Sequence, residues 1–103
     1  VTDDLEREVE QYFKSAVEHY DGLTFKWSSP AQKGVPDRIA IFPGGVVWFI
    51  EVKRTGGKLT KMQRFIRDKL VNRGCRYACV YGKLGVDKWV ASKPWSLSLT
   101  RIK

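Results

Sequence analysis

Apolar residues recur at helical spacing near the start of the chain. Leu5, Val9, Tyr12, Phe13, Ala16, Val17 and Tyr20 share one side of a helix predicted over residues 2 to 20, with Thr2 or Asp3 placed to cap it. The period then changes. "GLTFKWSS" (22–29) alternates as a strand does, and "SPAQKG" reads as loop because Pro30 and Gly34 are poor element formers. "DRIAIF" and "VVWFIEVK" predict two further strands joined by a turn at Pro43, Gly44 and Gly45. A second helix opens at Thr60 and runs to about Arg73, with Met62, Phe65, Ile66 and Leu70 expected inward and Gly74 as its stop. "CRYACVY" (75–81) predicts a fourth strand and "KWVAS" (88–92) a short fifth, and the closing "WSLSLTRIK" is weakly strand-like.

Helix, three strands, helix, strand is an α/β order, and the third strand, second helix and fourth strand form a βαβ crossover. The expectation is a central mixed sheet flanked by helices, in one domain over residues 1–103, since 103 residues are too few for two cores. No apolar run approaches a membrane span, and the acidic start "VTDDLEREVEQ" is unlike a signal peptide. A soluble, intracellular protein without a membrane partner is expected. Cys75 and Cys79 suit neither a zinc knuckle nor a redox pair, and His19 is the one histidine, so two free thiols are predicted.

Charge sharpens the picture. The net charge is +8, yet seven of the eleven acids lie in residues 1 to 21. From residue 22 onward 17 basic side chains face four acids, and nine Lys/Arg between Lys53 and Arg76 face Asp68 alone. Such density repels itself unless a polyanion supplies counter-charge, and nucleic acid is the leading candidate. A solvated basic face without a partner is the plainer alternative.

The stretch "GVPDRIAIFPGGVVWFIEVKR" sets Asp37, Glu51 and Lys53 among residues that otherwise read as core. A turn centred on Gly44 pairs Ile41 with Val47, Ile39 with Phe49 and Asp37 with Glu51. Lys53, two residues on, shares that side of its strand. Both faces of the hairpin are otherwise apolar, the pattern of strands covered on both sides. Two carboxylates about 5 Å apart repel by about 3 kcal/mol at an effective dielectric near 20. A divalent cation removes that cost, and oxygen donors without nearby His or Cys select Mg²⁺ or Mn²⁺. A Lys53 bridge to either acid at the sheet rim is the structural alternative.

"GVPDRI", the fourteen residues from Asp37 to Glu51, "EVK" and the following "GGKLTKMQ" together resemble the VRR-NUC branch of the PD-(D/E)xK nucleases. Pro36-Asp37 matches the PD, Glu51-Val52-Lys53 the ExK, and Gln63 the glutamine on the helix after the hairpin. The resemblance covers most of the chain and implies a restriction-endonuclease-like core. It also implies a metal-dependent DNA endonuclease leaving a 5′-phosphate and a 3′-hydroxyl. Lacking helicase, SAP or zinc modules, the chain is most similar to the stand-alone viral and bacterial forms.

By that resemblance Asp37, Glu51 and the Val52 carbonyl hold the metal, Lys53 handles the attacking water, and an acid on the first helix assists. Glu6 is preferred for that acid over Glu8, because it lies nearer the buried stripe. Gln63 has two readings, since Thr60-x-x-Gln63 is also a capping box. Lys33, Arg38, Arg54, Lys58, Lys61, Arg64 and Arg67 flank the site as candidate phosphate contacts. No base-reading motif accompanies them, which favours shape-selective binding of branched DNA. Trp27, Trp48, Trp89 and Trp95 read as core or dimer contacts, and a homodimer cutting Holliday junctions is expected. The alternatives are a flap or nicking nuclease, a non-catalytic nucleic-acid-binding module, and a protein that binds an acidic partner.

Overall fold

The computed structural model describes residues 5–96, and Thr2, Asp3 and most of "WSLSLTRIK" lie outside them. Helix α1 (Glu6–His19) leads into β1 (Leu23–Lys26), β2 (Arg38–Phe42) and β3 (Val46–Lys53), followed by α2 (Lys61–Asn72), β4 (Arg76–Tyr81) and α3 (Gly82–Ala91). The four strands form one sheet in sequence order. The first three run antiparallel, and β4 joins β3 in parallel through the α2 crossover. The α/β architecture and the hairpin register match expectation, with Ile39 opposite Phe49 and Ile41 opposite Val47.

Leu5 occupies the N-cap of α1, and the Glu8 carboxylate accepts a hydrogen bond from its N–H at 3.2 Å. The buried stripe Val9, Phe13 and Val17 packs on the sheet face formed by Ala40, Phe42, Val46, Ile50 and Val52. Helix α3 closes that layer with Val86 and Trp89. It stands where a fifth strand was expected. "KWVAS" taken alone alternates, but Val86, Trp89 and Val90 lie at helical spacing and complete the core against Phe13 and Phe42. Phe13 meets the Trp89 ring at 5.2 Å, and Trp48 meets it edge-on at 5.6 Å.

The other face of the sheet is not fully covered, contrary to the two-sided pattern read from the hairpin. Helix α2 lies over β4, whereas Ile39, Ile41, Val47 and Phe49 are only half-buried. Its inward stripe is Gln63, Ile66, Arg67 and Leu70. Met62 and Phe65, expected inside, are exposed. Turning the helix to bury them would swing Gln63 away from the sheet. The loop after β1 is seated on the start of α2 at Gly34, whose φ is 90°. A Cβ there would stand 2.6 Å from the Met62 carbonyl oxygen.

Candidate active site

Asp37 sits one residue before β2, anchored by Pro36, which is fully buried. Its carbonyl accepts the Trp27 N–H at 2.8 Å, and its Oδ2 accepts the Val52 N–H at 2.8 Å. Proline has a structural reason to precede it. Two residues past the last β2–β3 pair, Arg38 with Ile50, Pro36 stands where the ladder partner of Val52 would be and has no N–H to donate. In an antiparallel ladder the N–H and C=O of one residue point to the same neighbour. The Val52 carbonyl is therefore directed toward Asp37 without a donor from Pro36.

Glu51 is the centre of the site. It is 1% exposed, and its Oε2 accepts the Gln63 amide at 3.0 Å. Burial raises its pKa to about 9, followed by a hydrogen bond to Asp37 and by the Asp37 charge, while Lys53 lowers it and Glu6 raises it. Without metal, burial and the neighbouring Asp37 thus favour the protonated form of Glu51. Lys53 forms no ion pair with either carboxylate among the described residues. Its charge reaches Glu51 without neutralising it, which removes the rim salt bridge as an explanation for the acids.

Gln63 serves both readings at once. Its Oε1 accepts the Thr60 N–H at 2.8 Å, the Thr60 hydroxyl accepts the Gln63 N–H at 3.1 Å, and its Nε2 remains for Glu51. The capping box thus fixes the rotamer that orients the buried carboxylate. Glu8 is committed to capping α1, while Glu6 is exposed and acts on Glu51 as a charge. No group of three His, Cys, Asp or Glu side chains is gathered among the described residues. The donor set on offer is two carboxylates and one peptide carbonyl, which fits a hard divalent ion that keeps several waters.

Arg38, expected among the phosphate contacts, is instead buried and paired within the fold. It points to the face opposite Asp37, is 7% exposed, and donates to Thr24 at 3.2 Å and to Glu10 at 3.0 Å. Lys33, Arg54, Lys58, Lys61 and Arg64 are exposed, in the loops and on the α2 turn that surround the acids, and Arg67 is half-buried. Arg64 donates to the Leu59 carbonyl at 2.8 Å, and Arg67 pairs with Asp68 at 2.9 Å. Two residues escaped the sequence reading. The parallel register sets Cys79 beside Glu51 and Tyr81 beside Lys53. A hydrogen bond to Cys79, then burial, pushes the Tyr81 hydroxyl up to about 12. A hollow of about 420 Å³ lies instead against β4 and α3, lined by Tyr81, Leu84 and Trp89. The acids are at an open sheet end suited to a polymer rather than in that hollow.

No family model matches the sequence. A solved structure described as a VRR_NUC domain superposes with a TM-score of 0.80 and 33% identity, covering 84% of this chain and 94% of that one. The chain belongs to the VRR_NUC family. A protein of Acyrthosiphon pisum secondary endosymbiont phage 1, named "Putative nuclease p44", is 38% identical over 58 residues. That match takes in 56% of this chain and spans 62% of the relative's length. In this VRR_NUC domain the hairpin brings Asp37, Glu51 and Lys53 to one end of the sheet, and α2 adds Gln63 from above.

The buried proton makes a pH prediction. Glu51 has a folded pKa near 9 against an ordinary value of 4.5, so between those limits the folded chain holds a proton that the unfolded chain has released. Its contribution to stability is full below the ordinary value and declines as pH rises toward 9. Urea midpoints measured in EDTA from pH 5 to 9 should fall for wild type relative to Glu51→Gln. Parallel curves for the two proteins would mean that no proton is held there.

Proposed function

We propose that this VRR_NUC nuclease domain is a metal-dependent, structure-selective DNA endonuclease that resolves Holliday junctions and related branched DNA as a homodimer inside the cell. One observation carries the proposal. Glu51 is buried against Asp37 with Gln63 fixed on it, while Lys53 beside it forms no ion pair among the described residues. A structural role gains nothing from a buried carboxyl beside a second acid, a pair tolerated only while a proton or a cation is held there.

Asp37, Glu51 and the Val52 carbonyl would hold Mg²⁺ or Mn²⁺. When bound, such an ion supplies Lewis-acid polarisation of the phosphate and acidifies a water. The chain's own groups do the rest. Lys53 orients or deprotonates the attacking water and offsets negative charge developing on phosphorus. Gln63 holds Glu51 in one rotamer, and Glu6 orders water at the mouth. Lys33, Arg54, Lys58, Lys61, Arg64 and Arg67 grip phosphates on either side of the cut. Products with a 5′-phosphate and a 3′-hydroxyl follow from the family resemblance.

The test is an end-labelled panel of Holliday junction, flap and linear duplex, cut with Mg²⁺ or Mn²⁺ and read alongside light scattering. Paired symmetric nicks across the junction, at least tenfold faster than on linear duplex, are expected from a dimer. A monomer that trims flaps or ends would overturn junction resolution and leave the nuclease. No cutting with either ion would overturn the nuclease.

A further inference from the structure

The sheet face that carries the acids continues into an apolar field. One row across the strands is Leu23, Ile41 and Val47, and the next is Phe25, Ile39 and Phe49. Trp27, its ring 5.4 Å from Phe49, closes the field beside Asp37. These rows hold no charge. Both cations of β1 and β2, Lys26 and Arg38, turn to the opposite face, where Glu10 takes them at 3.4 and 3.0 Å. Yet Leu23 and Phe25 are 59% and 55% exposed.

On its other side the field meets α2. Gly34, in the loop between β1 and β2, abuts Met62, so this flank of the helix meets the loop that joins the uncovered strands. Met62 and Phe65 on that flank are exposed, and with Lys61 they line a hollow of about 400 Å³. A ridge on β1 and a hollow on α2 therefore lie at opposite borders of the field. DNA is a poor occupant, since phosphates find no cation along the rows.

We propose that this face is the homodimer interface and that its occupant is a second copy of the chain, an inference that rests on the homodimer reading above. Under two-fold symmetry the Leu23–Phe25 ridge of one protomer enters the hollow beside Met62 and Phe65 of the other, and the reverse contact follows. The size is appropriate. Three strands by five residues cover roughly 15 by 17 Å. With the α2 flank the field reaches roughly 400 to 500 Å², the apolar share expected of a standard interface of about 800 Å² per partner. The Phe25 row is two residues from the Asp37–Glu51 row, about 7 Å, so each protomer borders the other's site. The two acid pairs then lie on one assembly.

The experiment is sedimentation equilibrium of wild type, the double variant Leu23→Glu with Phe25→Glu, Phe65→Glu, and Leu84→Glu on α3 as a control. These side chains are exposed on the single chain, so circular dichroism melts should show folded proteins. Wild type and Leu84→Glu are expected as dimers, with Kd at least a hundredfold weaker in the double variant and in Phe65→Glu. The weakened variants should nick junction strands singly. Should the double variant not fold, Phe65→Glu decides alone. A dimer that survives these changes overturns this face while the homodimer reading stands. Wild type that is monomeric at several hundred micromolar overturns both.

Discussion

Glu51→Gln and Asp37→Asn are each expected to lower cleavage by a thousandfold or more and to leave folding unharmed or improved. Glu51 is 1% exposed beside Asp37, so either change leaves a single acid where two would repel once both are ionised. Glutamine keeps the shape and the acceptor that Gln63 Nε2 uses at 3.0 Å. The separation of activity from stability distinguishes this site from a structural acid pair, where loss of one partner destabilises. Thermal melts with and without Mn²⁺ complete the test. A cation at a hundred times its Kd stabilises by about 2.7 kcal/mol. Wild type should show a gain of that order and the variants little or none. A variant that cuts at near wild-type rate would sink the assignment.

Lys53→Ala is expected to lose roughly a hundredfold to ten-thousandfold in turnover while retaining most DNA affinity. Lys53 stands on the same face as Glu51, half-buried and beside Tyr81, where it reaches the reacting phosphate better than the duplex around it. Arg64 and Arg67 changed together to Ala should do the reverse, weakening binding and reducing the salt slope by up to about 2. Arg67 is already held by Asp68 at 2.9 Å, so Arg64 should account for more of that loss. Single-turnover rates and filter binding at several salt concentrations separate the two effects. Equal affinity losses in both variants would reduce Lys53 to one more phosphate contact.

Most of the candidate site's geometry was legible because a short turn transmits register. Once Gly44 centres the hairpin, pleat parity alone brings Asp37 against Glu51, and Val52 N–H on Asp37 Oδ2 at 2.8 Å reflects that alignment. The same parity should have removed Arg38 from the DNA contacts, since it is one residue from Asp37 and must face the other way. Helix α2 misled for a different reason. Its apolar residues at 62, 65, 66 and 70 define a stripe, but Gln63 is turned inward, with Arg67 one turn on, because the buried Glu51 takes the Gln63 amide as its polar partner. Amphipathicity locates a helix; it does not rotate it when the floor beneath is charged. Cys79 and Tyr81 were invisible because a parallel register is set by the crossover, and no turn counts it out. Helix α3 was lost in a five-residue window too short to tell a period of 2 from 3.6.

Gly34 carries no chemistry, yet two independent demands fall on it. Its torsion of 90° excludes side chains from the backbone's side, and the Met62 carbonyl 2.6 Å from a notional Cβ excludes them by volume. Neighbouring Lys33 is exposed and can be exchanged freely in shape. The outcome is mechanical: the loop bearing Lys33 and the helix bearing Gln63 touch backbone to backbone at this one point, with no room for a side chain between them. Any side chain at position 34 would therefore push loop and helix apart together, displacing Lys33 and Gln63 in a single step.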